Sequence, residues 1–220
     1  MGVNLQQRNT TVFKPMTNQI NTDKAAGIVL AAGASVRMGR TKQLLPIQGG
    51  TLLGRVLNEA LASDLDHIVL VLGHQANEIR SALGRFIKHP KLVVIENRHY
   101  TQGISSSIIA GLREVEESYW HVMIILGDMP HIDSRLINQL LRQYLDSRLS
   151  IGAVRVGTKR SHPVIFNKQI YDEIHRLSGD VGGKELFSSH AGQVCLVEPE
   201  HEYDDRDIDS PEDYADLLKE

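Results

Sequence analysis

Residues 25–42 read AAGIVLAAGASVRMGRTK, an apolar run that passes directly into a loop of small and basic residues. The run Gly27–Ala32 is almost continuously apolar, as in strands of parallel sheets that helices cover on both faces. Small residues in the loop let a ligand approach the backbone closely, and consecutive N–H groups can cradle phosphate. The stretch therefore predicts a buried strand that leads into a phosphate-binding loop.

Three more short runs have the same apolar character, namely Ile68–Leu72, Leu92–Ile95 and Val122–Leu126. Segments between the runs have helical spacing; in 51–63 and again in 136–145, apolar residues recur on one helix face. Strands that alternate with helices predict an α/β fold of the Rossmann-like, doubly wound type, with a mostly parallel sheet and helices on both faces. Ligands bind such sheets at the carboxyl ends of the strands.

The second half of the chain is less regular. Its predicted strands are Ile151–Val156, Val164–Phe166 and Gln193–Val197. A glycine-rich turn at Gly179–Gly183 precedes a short helix, and a last helix begins at Ser210-Pro211, a capping residue followed by a proline at the first helical position. Because no internal repeat or linker is present, we expect a single domain over residues 25–220, preceded by a flexible tail over residues 1–24.

The composition excludes several functional classes. A formal net charge of −3 over 220 residues argues against a sequence-independent nucleic-acid surface. A single cysteine excludes an internal disulfide and any zinc or iron–sulfur site built from several cysteines. No apolar run approaches the roughly 20 residues that span a membrane, and the polar N-terminus has no signal-peptide core. We therefore expect a cytoplasmic protein with no nucleic-acid and no membrane partner.

Three basic side chains of the first loop, Arg37, Arg40 and Lys42, match the charge of a triphosphate. Spacing excludes two common phosphate-binding loops, because the G-x-G-x-x-G fingerprint is absent and Lys42 does not directly follow Gly39, as a P-loop requires. The structural alternative is an ordinary strand–helix turn with a solvated basic surface. If Lys42 faces phosphate, we expect its side chain to pack little against the protein.

Acidic residues occur where a metal site can form. Asp128 follows the apolar run Val122–Leu126, and a carboxylate at the carboxyl end of a strand is well placed to hold a hard cation. Asp207 and Asp209 precede the last helix. The alternative, in which these acids cap helix N-termini, explains them less well because other capping residues stand closer to both helices.

Residues 30–42 resemble the signature loop L-A-A-G-x-S-x-R-M-G-x-x-K of nucleotidyltransferases related to molybdenum cofactor biosynthesis. Other motifs follow in the expected order, including Gly127-Asp128-Met129-Pro130 and the closing Asp207-Ile208-Asp209-Ser210-Pro211, in which Ser210 replaces threonine. The chain is most similar to the molybdenum cofactor cytidylyltransferases. The resemblance runs from about residue 26 to the C-terminus and implies a fold of the nucleotide-diphospho-sugar transferase type.

The resemblance assigns roles to individual residues. Asp128 is expected to bind Mg²⁺ (or Mn²⁺) with Asp209 as the second ligand, while Asp207 stays open as an alternative. Arg37, Lys42 and Asp128 are the expected catalytic residues. The side chains of Arg37 and Lys42 are expected to contact the departing pyrophosphate. The expected nucleotide-binding set adds residues of the first loop and of the helix start at 103–107: Leu30, Ala31, Ala32, Gly33, Gly103 and Ser107. For the serines of the helix start, helix capping is the structural alternative.

Two later motifs are expected to form the acceptor side, with contacts from His162, Pro163, Asp180 and Lys184. Both motifs depart from the family pattern, since Ser161 stands where glycine is usual and Lys184 where arginine is usual. Arginine and lysine are not interchangeable in bidentate phosphate contacts. The departures concern the details of acceptor recognition and leave the class of reaction unchanged.

The resemblance implies transfer of a cytidylyl group from CTP to Mo-molybdopterin, which gives the cytosine dinucleotide form of the cofactor and pyrophosphate. The implied partner is an apo-molybdoenzyme of the xanthine dehydrogenase or aldehyde oxidoreductase type. Ala32 stands where guanylyl enzymes usually have glycine, which favours CTP over GTP. The alternatives are a guanylyltransferase, a sugar- or polyol-phosphate nucleotidyltransferase, and a non-catalytic carrier of the finished cofactor. A nicotinamide dehydrogenase is disfavoured because the glycine fingerprint is missing.

Overall fold

The computed structural model describes residues 22–180 and 183–219. Its strands form a seven-stranded sheet and a small two-stranded ribbon. In chain order the strands are β1 Ala25–Ala31, β2 Pro46–Ile47, β3 Gly50–Thr51, β4 His67–Leu72, β5 Leu92–Glu96, β6 His121–Leu126, β7 Ile151–Val156, β8 Lys159–Asn167 and β9 Val194–Val197. The tail predicted over residues 1–24 falls mostly outside the described residues.

The α-helices in the described ranges are α1 Leu52–Ala62, α2 Ala76–Ala82, α3 Ile104–Arg113, α4 Ser134–Ser147, α5 Tyr171–Ile174, α6 Lys184–Ser189 and α7 Pro211–Leu217. None of these helices has the length and apolar character needed to cross a membrane. Asp133 is the N-cap residue of α4, and its Oδ1 accepts the N–H of Leu136 at 2.8 Å. Ser210 and Asp213 form a reciprocal capping box at α7, which confirms the helix start predicted there.

The large sheet has the strand order β5-β4-β1-β6-β8-β7-β9. The first four strands are parallel, β8 pairs antiparallel with both β6 and β7, and β9 pairs parallel with β7. Residues of α1 and α4 join one hydrophobic core, and residues of α3 and α5 join the other. This arrangement confirms the predicted Rossmann-like α/β fold with a mostly parallel sheet.

The central strand β1 determines where the loops of the site meet. All its residues are buried, and they alternate between the two cores, with Val29 on the α1 side and Ile28 on the α3 side. At Gly111, α3 approaches β1 so closely that a Cβ would lie 2.5 Å from Ile28 Cγ2. Since α3 follows β5, it begins at the carboxyl edge of the sheet, and this contact keeps it beside the loop after β1.

Two strands differ from the prediction. The sequence predicts burial on both faces for Leu92–Ile95, but β5 is an edge strand, and Val93 is 38% exposed. β8 spans nine residues where only Val164–Phe166 is predicted. Its first residues, Lys159 and Arg160, pair with β7 in an exposed hairpin and have no apolar pattern. Apolar runs therefore locate strands, but they do not show which strand lies at the edge of the sheet, and they miss exposed strand ends.

Candidate active site

The loop after β1 is held in a defined shape by Gln43. This side chain is 3% exposed, and its Nε2 donates to the carbonyl oxygens of Ala31 and Gly33, each at 3.3 Å. Its Oε1 accepts a hydrogen bond from Ser35 Oγ at 3.3 Å, in a residue whose φ of 53° is left-handed. The Gln43 amide therefore ties the end of β1 to the loop that follows, a role that sequence analysis missed.

Lys42 lies at the centre of a charged cluster. Its Nζ is 2.5 Å from Asp128 Oδ2 and 2.7 Å from Asp209 Oδ1, and the residue is only 9% exposed. Burial lowers the pKa of an ammonium, but the two carboxylates outweigh this effect, so the pKa of Lys42 is raised. The expectation that this lysine packs little is wrong, because the two acids hold it in a buried position.

Arg37 extends the cluster towards solvent. Its Nη2 lies 2.5 Å from Asp209 Oδ2, and its side chain is 75% exposed. Asp209 therefore bridges two cations, one at each carboxylate oxygen. Partial burial tends to raise the pKa of Asp209, but the hydrogen bond and charge of Lys42 and the charge of Arg37 lower it overall.

Two backbone contacts explain why distant acidic segments meet here. The N–H of Gly127 donates to Leu30 O at 2.9 Å, and a Cβ at Gly127 would lie only 2.8 Å from that oxygen. The N–H of Ile208 donates to Asp128 O at 3.0 Å. The first contact joins the end of β6 to β1, and the second fastens the closing segment to the end of β6.

Three carboxylates of this region fit a divalent cation. Asp128, Asp207 and Asp209 each offer one oxygen, and these oxygens lie within 4.8 Å of one another. An acidic, all-oxygen donor set suits Mg²⁺ or Mn²⁺. Partial burial and the negative charges of Asp209 and Asp128 raise the pKa of Asp207. The structure thus brings the two expected ligands together and places Asp207 beside them.

The start of α3 differs from a serine-capped helix. Gly103 is its N-cap residue, with a φ of 100°. Asp180 Oδ1 accepts the N–H of Ile104, and the serine hydroxyls do not cap the helix. Instead, Asn97 Nδ2 donates to Ser106 Oγ and Ser107 Oγ at 2.8 and 3.0 Å. Asn97 Oδ1 accepts the N–H of His99 at 2.9 Å, which fixes the orientation of the amide. The capping alternative for the serines is therefore wrong, and Asn97, which sequence analysis missed, holds Ser107 in place.

The first loop and the start of α3 are joined by close contacts. A Cβ at Gly73 would lie 2.8 Å from Ala32 O and 2.7 Å from Tyr100 Cβ. Gly73 therefore packs closely between the backbone of Ala32 and the side chain of Tyr100. Leu30 and Ala31 are buried within β1, and their carbonyl oxygens accept hydrogen bonds from the Gly127 N–H and from Gln43 Nε2.

The expected acceptor residues are more widely spread. His162 lies in β8, and its Nδ1 is buried with no hydrogen-bond partner in the described part of the chain. Burial lowers the pKa of His162. Pro163, the next residue, is also buried. Asp180 Oδ1 accepts the N–H of Ile104 at 3.1 Å, which places Asp180 at the start of α3. Lys184 is exposed at the first residue of α6. Residues 181 and 182 of this motif lie outside the described residues.

A large groove on the described surface does not contain the charged cluster. This groove has a volume of about 1260 Å³ and lies between α1, the β2–β3 ribbon and the segment 201–206. A smaller groove of about 490 Å³ follows the first loop and is lined by Ser35, Arg40 and His74, among others. Side-chain chemistry, rather than groove size, therefore identifies the candidate site.

A model of the MobA-like NTP transferase domain matches residues 27–194. Three relatives match most of the chain. Purine catabolism protein PucB of Bacillus subtilis is 31% identical over 86% of this chain and 93% of its own length. Molybdenum cofactor cytidylyltransferase of Escherichia coli is 28% identical over 85% of this chain and 92% of its own length. Nicotine blue oxidoreductase of Paenarthrobacter nicotinovorans is 28% identical over 87% of this chain and 95% of its own length.

A similar solved structure is that of Rv0371c from Mycobacterium tuberculosis in complex with manganese. It has a TM-score of 0.72 and 29% sequence identity, and the match covers 89% of this chain and 98% of that one. The matches therefore span nearly the whole length of the sequence relatives, while the names of those relatives describe different activities.

Proposed function

The chain belongs to the MobA-like NTP transferase domain family, and from this premise we propose that it transfers the cytidylyl group of CTP to Mo-molybdopterin. The products are the cytosine dinucleotide form of the cofactor and pyrophosphate. The proposal rests above all on one observation, the cluster in which Lys42 and Arg37 meet Asp128 and Asp209. Cations for a leaving pyrophosphate and acids for a divalent metal stand side by side there.

The proposed reaction is a displacement at phosphorus. An oxygen of the acceptor's terminal phosphate attacks the α-phosphorus of CTP, a new phosphorus–oxygen bond forms, and the bond to pyrophosphate breaks. A phosphate monoester has a second pKa of about 6, so the attacking oxygen is already ionised at neutral pH. Because no general base is then needed, catalysis depends on alignment of the reactants and neutralisation of charge.

The charged cluster supports both requirements. Lys42 and Arg37 would neutralise the charge of the departing pyrophosphate. Asp128 and Asp209 would hold Mg²⁺ or Mn²⁺, and Asp207 is close enough to join them. The bound cation would withdraw charge from the phosphate oxygens of the nucleotide. The manganese in the Rv0371c structure supports a divalent cation in this fold.

The base would bind between Ala32 and the start of α3. Because Asn97 donates to Ser107 Oγ, the hydroxyl of Ser107 keeps its own proton for an acceptor. Cytosine offers such acceptors at O2 and N3. The methyl group of Ala32 would narrow the pocket, and a pyrimidine needs less room than a purine, which favours CTP.

The acceptor would bind on the side of His162, Pro163, Asp180 and Lys184. Mo-molybdopterin is favoured as the acceptor because the cytidylyltransferase relative carries the name of that cofactor. The finished cofactor would pass to an apo-molybdoenzyme of the xanthine dehydrogenase or aldehyde oxidoreductase type, and we expect both proteins in the cytoplasm.

One assay tests the proposal against its alternatives. The protein is incubated with Mg²⁺, Mo-molybdopterin and each of the four nucleoside triphosphates, and pyrophosphate and dinucleotide products are measured. Release with CTP is expected; release with GTP alone would indicate a guanylyltransferase. Cofactor binding without release from any nucleotide would indicate a carrier. A parallel assay for the redox conversion of nicotine blue covers the activity in the name of the oxidoreductase relative, and we expect none.

A further inference from the structure

Lys42 Nζ lies between two acids that also fit a divalent cation. It is 2.5 Å from Asp128 Oδ2 and 2.7 Å from Asp209 Oδ1, while Arg37 Nη2 is 2.5 Å from the second oxygen of Asp209. Two of the three carboxylates in the cluster are therefore paired with cations of the protein itself. The third, Asp207, lies within the same 4.8 Å group of oxygens.

The ammonium and a divalent cation compete for the same oxygens. Mg²⁺ binds oxygen at about 2.0–2.1 Å, so a cation on Asp128 Oδ2 and Asp209 Oδ1 would stand next to Lys42 Nζ. Two positive charges at that distance repel strongly where little water screens them. Lys42 is buried, and a buried charge that loses its partners is costly. The lysine therefore needs another anion before it can leave the acids, and a triphosphate is such an anion.

We propose that Lys42, assisted by Arg37, is a resident counter-cation of the carboxylate cluster. The divalent cation binds together with a triphosphate. The Lys42 and Arg37 side chains then leave the carboxylates and contact the triphosphate. This inference rests on the proposed function only in taking a nucleoside triphosphate as the ligand, and it is independent of the base and the acceptor. Metal and nucleotide binding are then coupled, so each raises the affinity for the other by the same factor.

Mn²⁺ binding to the full chain without nucleotide tests the proposal, with free Mn²⁺ measured by electron paramagnetic resonance. Lys42→Met removes the ammonium and keeps the apolar stem, and we expect Mn²⁺ affinity to rise at least about tenfold over wild type. Lys42→Arg keeps the charge and is expected to stay within about threefold of wild type. Arg142→Gln is the matched control, because Arg142 is exposed on α4 and is not part of the loop that carries the cluster. Its Mn²⁺ affinity should change less than about twofold.

An Mn²⁺ affinity in Lys42→Met that equals or falls below that of wild type overturns the proposal. If circular dichroism shows that this variant does not fold, Arg37→Gln decides instead, because Arg37 is mostly exposed. Its Mn²⁺ affinity should rise about threefold, and no rise overturns the proposal.

The same measurements separate this inference from the proposed function. A rise in Mn²⁺ affinity in a protein that releases no pyrophosphate with any nucleotide supports the counter-cation role and refutes the transferase. Pyrophosphate release combined with an unchanged Mn²⁺ affinity in the variants supports the transferase and refutes the counter-cation role.

Discussion

The nucleotide side and the acceptor side of the proposed site are built differently. On the nucleotide side, Lys42, Asp128 and Asp209 are joined by ion pairs into one cluster. On the acceptor side, Asp180 binds the start of α3, whereas Lys184 is exposed at the start of another helix. The first side is a preorganised group of charges, and the second is a set of residues on separate elements.

The sheet explains this contrast. β1 and β6 are neighbours in its parallel part. A backbone hydrogen bond from Gly127 joins the end of β6 to β1, and one from Ile208 fastens the closing segment to Asp128. His162 lies on β8, in the antiparallel part, and Lys184 follows a loop. Chemistry at phosphorus needs close alignment, which the rigid side can provide, while loops are where proteins of one fold vary their ligands.

We expect the largest loss of activity from a change on the nucleotide side, at Asp128. Asp128→Asn keeps the size of the side chain and removes its charge, so Mg²⁺-dependent turnover should fall by roughly three orders of magnitude or more. Folding should survive, which a thermal melt checks beside the pyrophosphate assay. Asp146→Asn on the exposed face of α4 is the matched control. Near-normal turnover in folded Asp128→Asn would show that Asp128 is no metal ligand.

The next effect concerns the base, where the nucleotide side meets α3. CTP should be preferred over GTP by at least about 100-fold in kcat/KM, or roughly 2.7 kcal/mol. Ala32→Gly removes the methyl group of the residue that directly follows β1 and should weaken this preference more than it lowers kcat/KM for CTP. The Asn97–Ser107 pair would still favour cytosine, so the preference should shrink without reversing. Equal efficiencies with CTP and GTP in wild type would contradict the role given to Ala32.

The nucleotide side is also the part that sequence predicts better. Lys42 belongs to a continuous motif, and Asp128 follows an apolar strand, so the topology of a parallel sheet is enough to place them at the same edge. The burial of Lys42 could not be predicted, because it depends on Asp209, which lies 167 residues further along the chain. Gln43 and Asn97 were missed for a related reason, since their roles depend on the groups that the fold places opposite their amides.

Gln43 is expected to act on the nucleotide side only through the shape of the loop. Gln43→Leu removes its hydrogen bonds to Ala31 O, Gly33 O and Ser35 Oγ. Because three hydrogen bonds are lost at about 0.5–1.5 kcal/mol each, the KM for CTP should rise at least roughly tenfold, with a smaller change in kcat. Exposed Gln169→Leu serves as the control. A fall in kcat with an unchanged KM for CTP would argue against a positioning role.

The smallest expected effect tests the acceptor side at Lys184. This side chain is exposed, and an exposed ion pair contributes about 0.2–1 kcal/mol. Lys184→Ala should therefore raise the KM for Mo-molybdopterin by roughly two- to fivefold and leave the KM for CTP and the melting temperature unchanged. Exposed Lys88→Ala is the matched control.

Lys184→Arg makes the same test in the opposite direction. A guanidinium can contact phosphate through two parallel N–H groups, which an ammonium cannot do. If Lys184 contacts a phosphate of the acceptor, this variant should lower the KM for Mo-molybdopterin when the acceptor is titrated at saturating CTP. A change in the KM for CTP instead would place Lys184 with the nucleotide. The two sides of the site would then be one charged surface, and the contrast between them would fail.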